Sequence, residues 1–446
     1  MKKYRLITAI SILCLLVLLT GCVKGSGFTK KNVAASDVKA VEKSLPAAEV
    51  KPPEIKPPEI KPEEVKPLEV KPPVIVPPSL PVDHNAIGCV FPLTGRFADA
   101  GSKALDAVLL SAEIFNQRSP SPWKIVVADS GETSEKMKEA IAYLADGAKV
   151  IAIVAITGTS EATDAAREAQ KRKIPLILIT PKEGVTEIGD YVFQHFLTPT
   201  QQIEALTRYA LDRLNVAIFS VLYPQDDYGE EMVRLLRREA KKIGIKVDKA
   251  VPYSKNQTDF TQQISKLTGN KIGSSEKVYA TTDEAKNKLT LDFEALFIPD
   301  SAFRVKMITS QLAFYDVKGM KLLGTSLWHS PDLLKKGAEY IEGAVFADSF
   351  FVNGFLPETN DFVDIYYSAY RREPGNTEAL SYDTMELVLQ ILENQKVKTR
   401  DEFRQTLSVV QGFRGVTGSV SFRGDRVAQK DAFILKVENG KLVQVK

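Results

Sequence analysis

The chain of 446 residues sets 59 Lys and Arg against 56 Asp and Glu, for a formal net charge of +3, and holds three cysteines and three histidines. Such a balance excludes the strongly basic face of a nucleic-acid-binding protein. So few cysteines exclude a disulfide framework, and His84, His195 and His329 share no spacing that would ligate a metal.

At the N-terminus Lys2, Lys3 and Arg5 precede an apolar run, Leu6 to Leu19, that ends in Leu19-Thr20-Gly21-Cys22. Basic residues, an apolar stretch and a small residue before the cut predict an export signal over residues 1–21. The apolar run is shorter than the roughly 20 residues a spanning helix needs. A cysteine directly after Leu-Thr-Gly is similar to a lipobox, so Cys22 is the expected acylation site and first mature residue. Removing the signal takes away Lys2, Lys3 and Arg5 and brings the net charge to about zero. Cys14 leaves with it. Cys89 remains alone in an apolar stretch, where it is expected to be a small core residue.

Residues 22–84 read as a tether. From Lys51 a pentapeptide repeats as KPPEI, KPPEI, KPEEV, KPLEV and KPPVI, before VPPSLP. Proline at this density forbids helix and sheet and leaves polyproline II. In that form residues 51–78 reach on the order of 85 Å.

After Asn85, short apolar strands alternate with amphipathic helices. Strands are predicted at Ile87–Phe91, Lys124–Ala128, Val150–Ala155 and Leu176–Ile179, and helices at Ala98–Gln117, Glu135–Ala145 and Ser160–Arg172. The theme restarts after Pro199 with a helix to Leu214, strand Val216–Leu222, helix Gly229–Ile243 and strand Lys246–Val251, then strands at Ala295–Ile298 and Leu322–Leu323. Lys271–Thr290, polar and lysine-rich, reads as a surface insertion. Short strands at Gly418–Phe422, Ala432–Val437 and Lys441–Val445 close the chain. The alternation implies βαβ units and two α/β lobes with mainly parallel sheets.

No G-x-S-x-G elbow, phosphate-binding loop or G-x-G-x-x-G follows a strand, and no pattern points to an enzyme, cofactor or metal. Polar loops stand instead at the C-terminal ends of strands, where open α/β sheets bind ligands. They are Pro92–Phe97, Thr157–Ser160, Thr180–Gly184, Asp226–Gly229, Pro299–Ser301 and Gly324–Trp328. Hydroxyls and free N–H groups at a helix start suit an anion, and they equally serve as helix caps.

These loops, in this order, resemble the leucine/isoleucine/valine-binding family of periplasmic solute-binding proteins. The resemblance is carried by Phe91-Pro92-Leu93-Thr94-Gly95 with Ala98 and Gly101, Ile174-Pro175-Leu176-Ile177 with Thr180-Pro181, and Tyr223-Pro224 with Tyr228-Gly229-Glu230. Thr258-Asp259-Phe260, Tyr340–Val345 and the closing Gly418–Phe422 strand extend it to nearly the whole of residues 85–446. It implies two doubly wound lobes joined by three crossovers, with lobe 1 at 85–199 plus 325–410 and lobe 2 at 200–324 plus 411–446, and a ligand caught between them as the hinge closes.

The resemblance further implies a cleft built from Thr94, Thr159, Ser160, Tyr228, Asp300, Ser326 and Trp328. Thr159 and Ser160 would hold an anionic end, Tyr228 and Trp328 would cover the apolar part, and Asp300 would meet a cation. Family members place an acid for the ligand's ammonium near the position of Ser326, and Lys182, Glu183 and Gly184 stand where small residues are usual. Asp300, Asp226 or Glu183 must substitute, or the ligand is not an ordinary amino acid. The expected function is non-catalytic: an exported, lipid-anchored protein that captures a small amino-acid-like solute for an ABC permease. A second role is implied by similarity to lipoproteins that resemble penicillin-binding protein activators, which reach through peptidoglycan to a cell-wall synthase. The tether fits that role, and Val23 after the cysteine favours the outer membrane of a diderm.

Overall fold

The computed structural model describes residues 81–114, 121–270, 291–335, 337–393 and 396–446. The expected signal peptide, Cys22, the proline-rich tether and the Lys271–Thr290 insertion lie outside the described residues.

Five strands form the first sheet: β1 (Asp83–Phe91), β2 (Lys124–Asp129), β3 (Val150–Ile156), β4 (Leu176–Ile179) and β5 (Val192–Gln194). All pair in parallel, in the order β2-β1-β3-β4-β5. Alternate side chains of β1 feed opposite faces, as the two-residue period requires. Ile87, Cys89 and Phe91 enter one core, and Ala86 and Val90 the other. The Cys89 side chain is enclosed, and burial pushes its thiol well above the ordinary range. Helices α2 (Ser134–Ala142) and α3 (Ala162–Lys171) cover the face that receives Val90. Alanines 162, 165, 166 and 169 let α3 lie close against the sheet.

The second sheet repeats the first. Strands β6 (Ile218–Pro224), β7 (Lys246–Tyr253), β8 (Ala295–Phe297), β9 (Lys321–Gly324) and β10 (Val345–Asp348) pair in parallel in the order β7-β6-β8-β9-β10. Two antiparallel strands, β14 (Phe433–Glu438) and β15 (Lys441–Gln444), extend it beyond β10. Helices α4 (Pro199–Leu214) and α5 (Asp227–Ile243) cover one face, and α6 (Thr261–Thr268) and α7 (Ala302–Phe314) the other. Thr198 begins α4 with a reciprocal capping box to Gln201 and with Pro199 in the first turn.

The two lobes also share a close approach. A Cβ added at Gly101 in α1 (Ala98–Ser111) would lie 2.0 Å from the carbonyl oxygen of Pro92, and one at Gly229 in α5 would lie 2.0 Å from that of Pro224. In each lobe the helix that follows the first strand is thereby pressed onto the proline at that strand's C-terminal end.

The sheets divide the chain differently from the expected boundaries. Residues 325–348, expected in lobe 1, run on from β9 into β10 of the second sheet. Conversely, β11 (Phe413–Gly415), β12 (Gly418–Ser421) and β13 (Gln429–Lys430), expected in lobe 2, form a small antiparallel sheet whose Val420, Phe422 and Ala428 enter the lobe 1 core. Helices α8 (Pro357–Tyr370), α9 (Asn376–Glu393) and α10 (Arg400–Ser408) also pack on lobe 1. The chain therefore crosses between lobes after β5, after β10 and between β13 and β14. His84 stands in β1 rather than in the tether, and α1 ends at Ser111 rather than Gln117. Among the described residues no helix is long and apolar enough to cross a membrane.

Candidate functional site

Strand order fixes where a ligand can enter. In each sheet the order reverses at the first strand, between β1 and β3 in lobe 1 and between β6 and β8 in lobe 2. Helices leaving those two strand ends run to opposite faces, which opens a crevice between the loops. The loops after β1 and β3 carry Thr94, Thr159 and Ser160; Asp300 follows β8, and Tyr228 stands in the first turn of α5, after β6. Five expected site residues thus flank the two switch points. Ser326 and Trp328 follow β9, one strand away.

In lobe 1, Thr94 is engaged: its hydroxyl donates to Asp129 at 2.5 Å, and Asp129 also accepts from the backbone of Leu93, Thr94 and Gly131. Those hydrogen bonds hold the Asp129 carboxyl below its ordinary range against the opposing effect of burial. The β3 loop is different. Glu161 occupies the N-cap of α3 without a side-chain hydrogen bond, so neither Thr159 nor Ser160 caps the helix, and both are exposed. Thr157, which begins the loop, has a buried hydroxyl with no partner among the described residues. The loop after β4 is tied to this one by Thr180, whose hydroxyl donates to the Gly158 carbonyl at 3.3 Å.

In lobe 2, Tyr228 is half-buried and its hydroxyl lies 3.1 Å from that of Thr325. Burial raises the phenol to about 12, so it stays protonated at any physiological pH. Asp226 caps α5 by accepting from the Gly229 N–H at 2.9 Å. Asp300, expected to meet a cation, accepts from the Tyr253 hydroxyl at 2.6 Å and from the Ser301 N–H at 2.6 Å. Ser326 is positioned by its N–H, which donates to Gln202 of α4 at 3.1 Å.

Trp328 does not cover the cleft. Its ring is fully buried in the lobe 2 core, lies over Gly324 and donates from Nε1 to the Ile298 carbonyl at 3.0 Å. A bulky apolar residue in a strand-end loop reads alike as a lid or as core in sequence. Here Gly324, having no side chain, lets the indole fold back under the strand. Glu183, the third possible acid, joins the lobes instead: it accepts from the N–H and hydroxyl of Thr200 at 2.7 and 2.9 Å. The rims therefore meet where the β4 loop reaches the start of α4.

A groove of about 1110 Å³ opens on the hinge flank, lined by Gln201, Phe355, Arg414, Arg423 and Lys430 among others. It is remote in chemistry from the strand-end loops, because its walls are α4, the start of α8 and the small antiparallel sheet. Behind half-buried Lys430 in its wall lies a buried polar cluster, His195, Asp383, Thr384 and Thr417, to which Lys430 is joined by hydrogen bonds. Among the described residues no three His, Cys, Asp or Glu side chains gather as a metal site.

Residues 86–441 match the family model described as periplasmic binding protein, and the chain belongs to that family. It is a family of binding proteins, not of enzymes. Among solved structures, a putative branched-chain amino acid ABC transporter protein from Rhodospirillum rubrum is 20% identical with a TM-score of 0.68, over 81% of this chain and 99% of that one. The branched-chain amino acid substrate-binding protein of Streptococcus pneumoniae, solved with isoleucine, is 21% identical with a TM-score of 0.60, over 80% and 99%. A solute-binding protein of R. palustris, solved with benzoate, is 16% identical with a TM-score of 0.58, over 81% and 95%. At these identities the likeness establishes the two-lobed fold. No curated protein matches the chain by sequence.

Proposed function

We propose that the protein captures a small organic acid between its lobes and presents it to an ABC permease, from a lipid anchor at Cys22 on the outside of the cytoplasmic membrane or on the outer membrane. The observation that carries this reading is the β3 loop. A buried hydroxyl without a partner at Thr157 and two hydroxyls spared from capping at Thr159 and Ser160 stand at the switch point, where a carboxylate would complete them. Tyr228, across the crevice, supplies an aromatic face and a protonated phenol.

The ligand class follows from which groups are fixed and which are spare. Asp129, Asp226, Asp300 and Glu183 each accept from groups of the protein itself. Those contacts leave each acid its charge and further lone pairs but fix its position, so a ligand ammonium gains a counter-charge only where the fold already holds one. An acid that brings no ammonium makes no such demand. The relatives of this fold solved with isoleucine and with benzoate span both classes, and the hydroxyls after β3 favour a ligand recognised by its carboxylate. The repeat tether supports a further reading, a cell-wall synthase activator whose cleft is regulatory.

Calorimetric titration with leucine, isoleucine, benzoate and succinate tests the proposal. Binding of an acid, weakened tenfold or more by Tyr228→Ala, is expected, since loss of a packed aromatic contact costs at least about 1.4 kcal/mol. Unchanged affinity in that variant would remove Tyr228 from the site, and heat from leucine alone would return the ligand to the amino-acid class.

A further inference from the structure

The first and third crossovers are joined by a hydrogen-bonded chain whose directions are all fixed. The Thr384 hydroxyl donates to the Leu380 carbonyl of its own helix at 2.6 Å, so its oxygen accepts from His195 Nδ1–H at 2.8 Å. That assigns the tautomer and leaves Nε2 of His195 as an acceptor, 3.1 Å from the Lys430 ammonium. Lys430 also donates to the Thr417 hydroxyl at 2.5 Å, which donates in turn to Asp383. Asp383 is completed by the N–H groups of Val416 and Thr417 at 2.6 and 2.8 Å. His195 and Asp383 are wholly buried. His195 follows β5, where the chain first leaves lobe 1, and Lys430 ends β13, where it leaves for the last time; Asp383 and Thr384 belong to α9 of lobe 1.

We propose that this chain is an acid-sensitive latch on the hinge: it fastens the first and third crossovers to lobe 1 while His195 is neutral, and protonation of His195 releases them. The physical reason is directional. A proton on Nε2 would face the Lys430 ammonium, donor against donor and charge against charge, with the imidazole itself enclosed away from solvent. Burial, and then the Lys430 charge, hold the imidazole neutral far below its ordinary range. The other ionisable groups that bear on the cluster are Glu386 and Tyr382 of α9, through Asp383, and Asp431 beside Lys430. Asp431, like Asp383, favours the Lys430 ammonium, and neither relieves its conflict with a charged His195. The latch acts on the hinge and is independent of what the cleft binds.

The sign follows from linkage. An imidazole that is neutral in the latched state and free to titrate once released draws the equilibrium toward release as the pH falls below about 6.5. Opening should then grow about tenfold for each pH unit below that value. Hydrogen exchange on the mature chain reads it at three backbone amides of the crossovers. His195 N–H donates to Leu178, Gln194 N–H to Arg426, and Ala428 N–H to Gln194. After correction for intrinsic rates, protection of these amides should fall about tenfold per unit between pH 6.5 and 4.5, while the amides of β1 hold. In His195→Gln the dependence should disappear. Flat protection in the wild type, or the same slope in His195→Gln, would overturn the latch. Should that variant not fold, equal slopes at the crossovers and at β1 in the wild type would overturn it as well.

Discussion

Replacing Asp383 by Asn should be among the most destabilising single changes in the molecule, although it alters one atom. The carboxylate is fully buried and takes three donors, two backbone N–H groups and the Thr417 hydroxyl, with the Lys430 ammonium one hydroxyl away. An asparagine carbonyl can accept in place of one oxygen. Its amide group would then point at a backbone N–H, leaving a buried donor without an acceptor at a cost of about 1–3 kcal/mol. The loss of the anion also leaves Lys430 without its nearer counter-charge. Burial already draws that ammonium down to about 8, with Asp383 the chief opposing influence. Breaking a buried pair from one side costs about 3–5 kcal/mol, which corresponds to a melting temperature lower by roughly 5–15 °C. Denaturant unfolding at pH 7 measures it. The double variant Asp383→Asn with Lys430→Met should recover part of the loss, because it removes the stranded charge. A single-variant loss below about 1 kcal/mol, or strictly additive effects in the cycle, would refute the reasoning.

The paired glycines make a second test. Gly101→Ala and Gly229→Ala each force a methyl to within 2.0 Å of a strand-end carbonyl, so each should cost about 1–3 kcal/mol or more by thermal unfolding, whereas Gly424→Ala, whose Cβ meets nothing, should be near neutral. Shortening the 51–78 repeat separates the two functional readings. A permease-coupled binding protein should support uptake almost unchanged, while an activator that must span a fixed distance should fail below a threshold length in a cell-wall synthesis assay.

Most of the architecture was legible because burial writes itself into sequence period. The β3 run Val150–Ile156 is apolar throughout and lies in the sheet interior, and the alternation of strand and helix announced both doubly wound sheets. The lobe boundaries were not legible. The strand β10 and the small sheet β11–β13 are short pieces without a period of their own, and which lobe they join depends on pairings between distant segments. The site divided in the same way. Strand-end loops could be found from position alone, so Thr159, Ser160 and Tyr228 stand near the switch points. Whether a loop residue is spent or spare could not be read. Trp328 turned inward because Gly324 made room, and Asp300 is engaged because Tyr253 of another strand reaches it. His195, Asp383 and Lys430 are far apart in sequence, and only the fold brings them into one chain.

The same distinction between spent and spare groups decides how the ligand should be sought. Where two lobes close on a solute, a buried neutral group without a partner gains most from it, since leaving a donor or acceptor unmade is costly. Around the two switch points the acids accept from neutral groups of the protein, while the buried Thr157 hydroxyl has no partner among the described residues. On the proposed reading, a ligand search should therefore start from carboxylates and carry free amino acids as the competing class. Carboxylates without an ammonium ask of it only what it has spare: hydroxyl and backbone donors on one lobe, and an aromatic ring with a protonated phenol on the other.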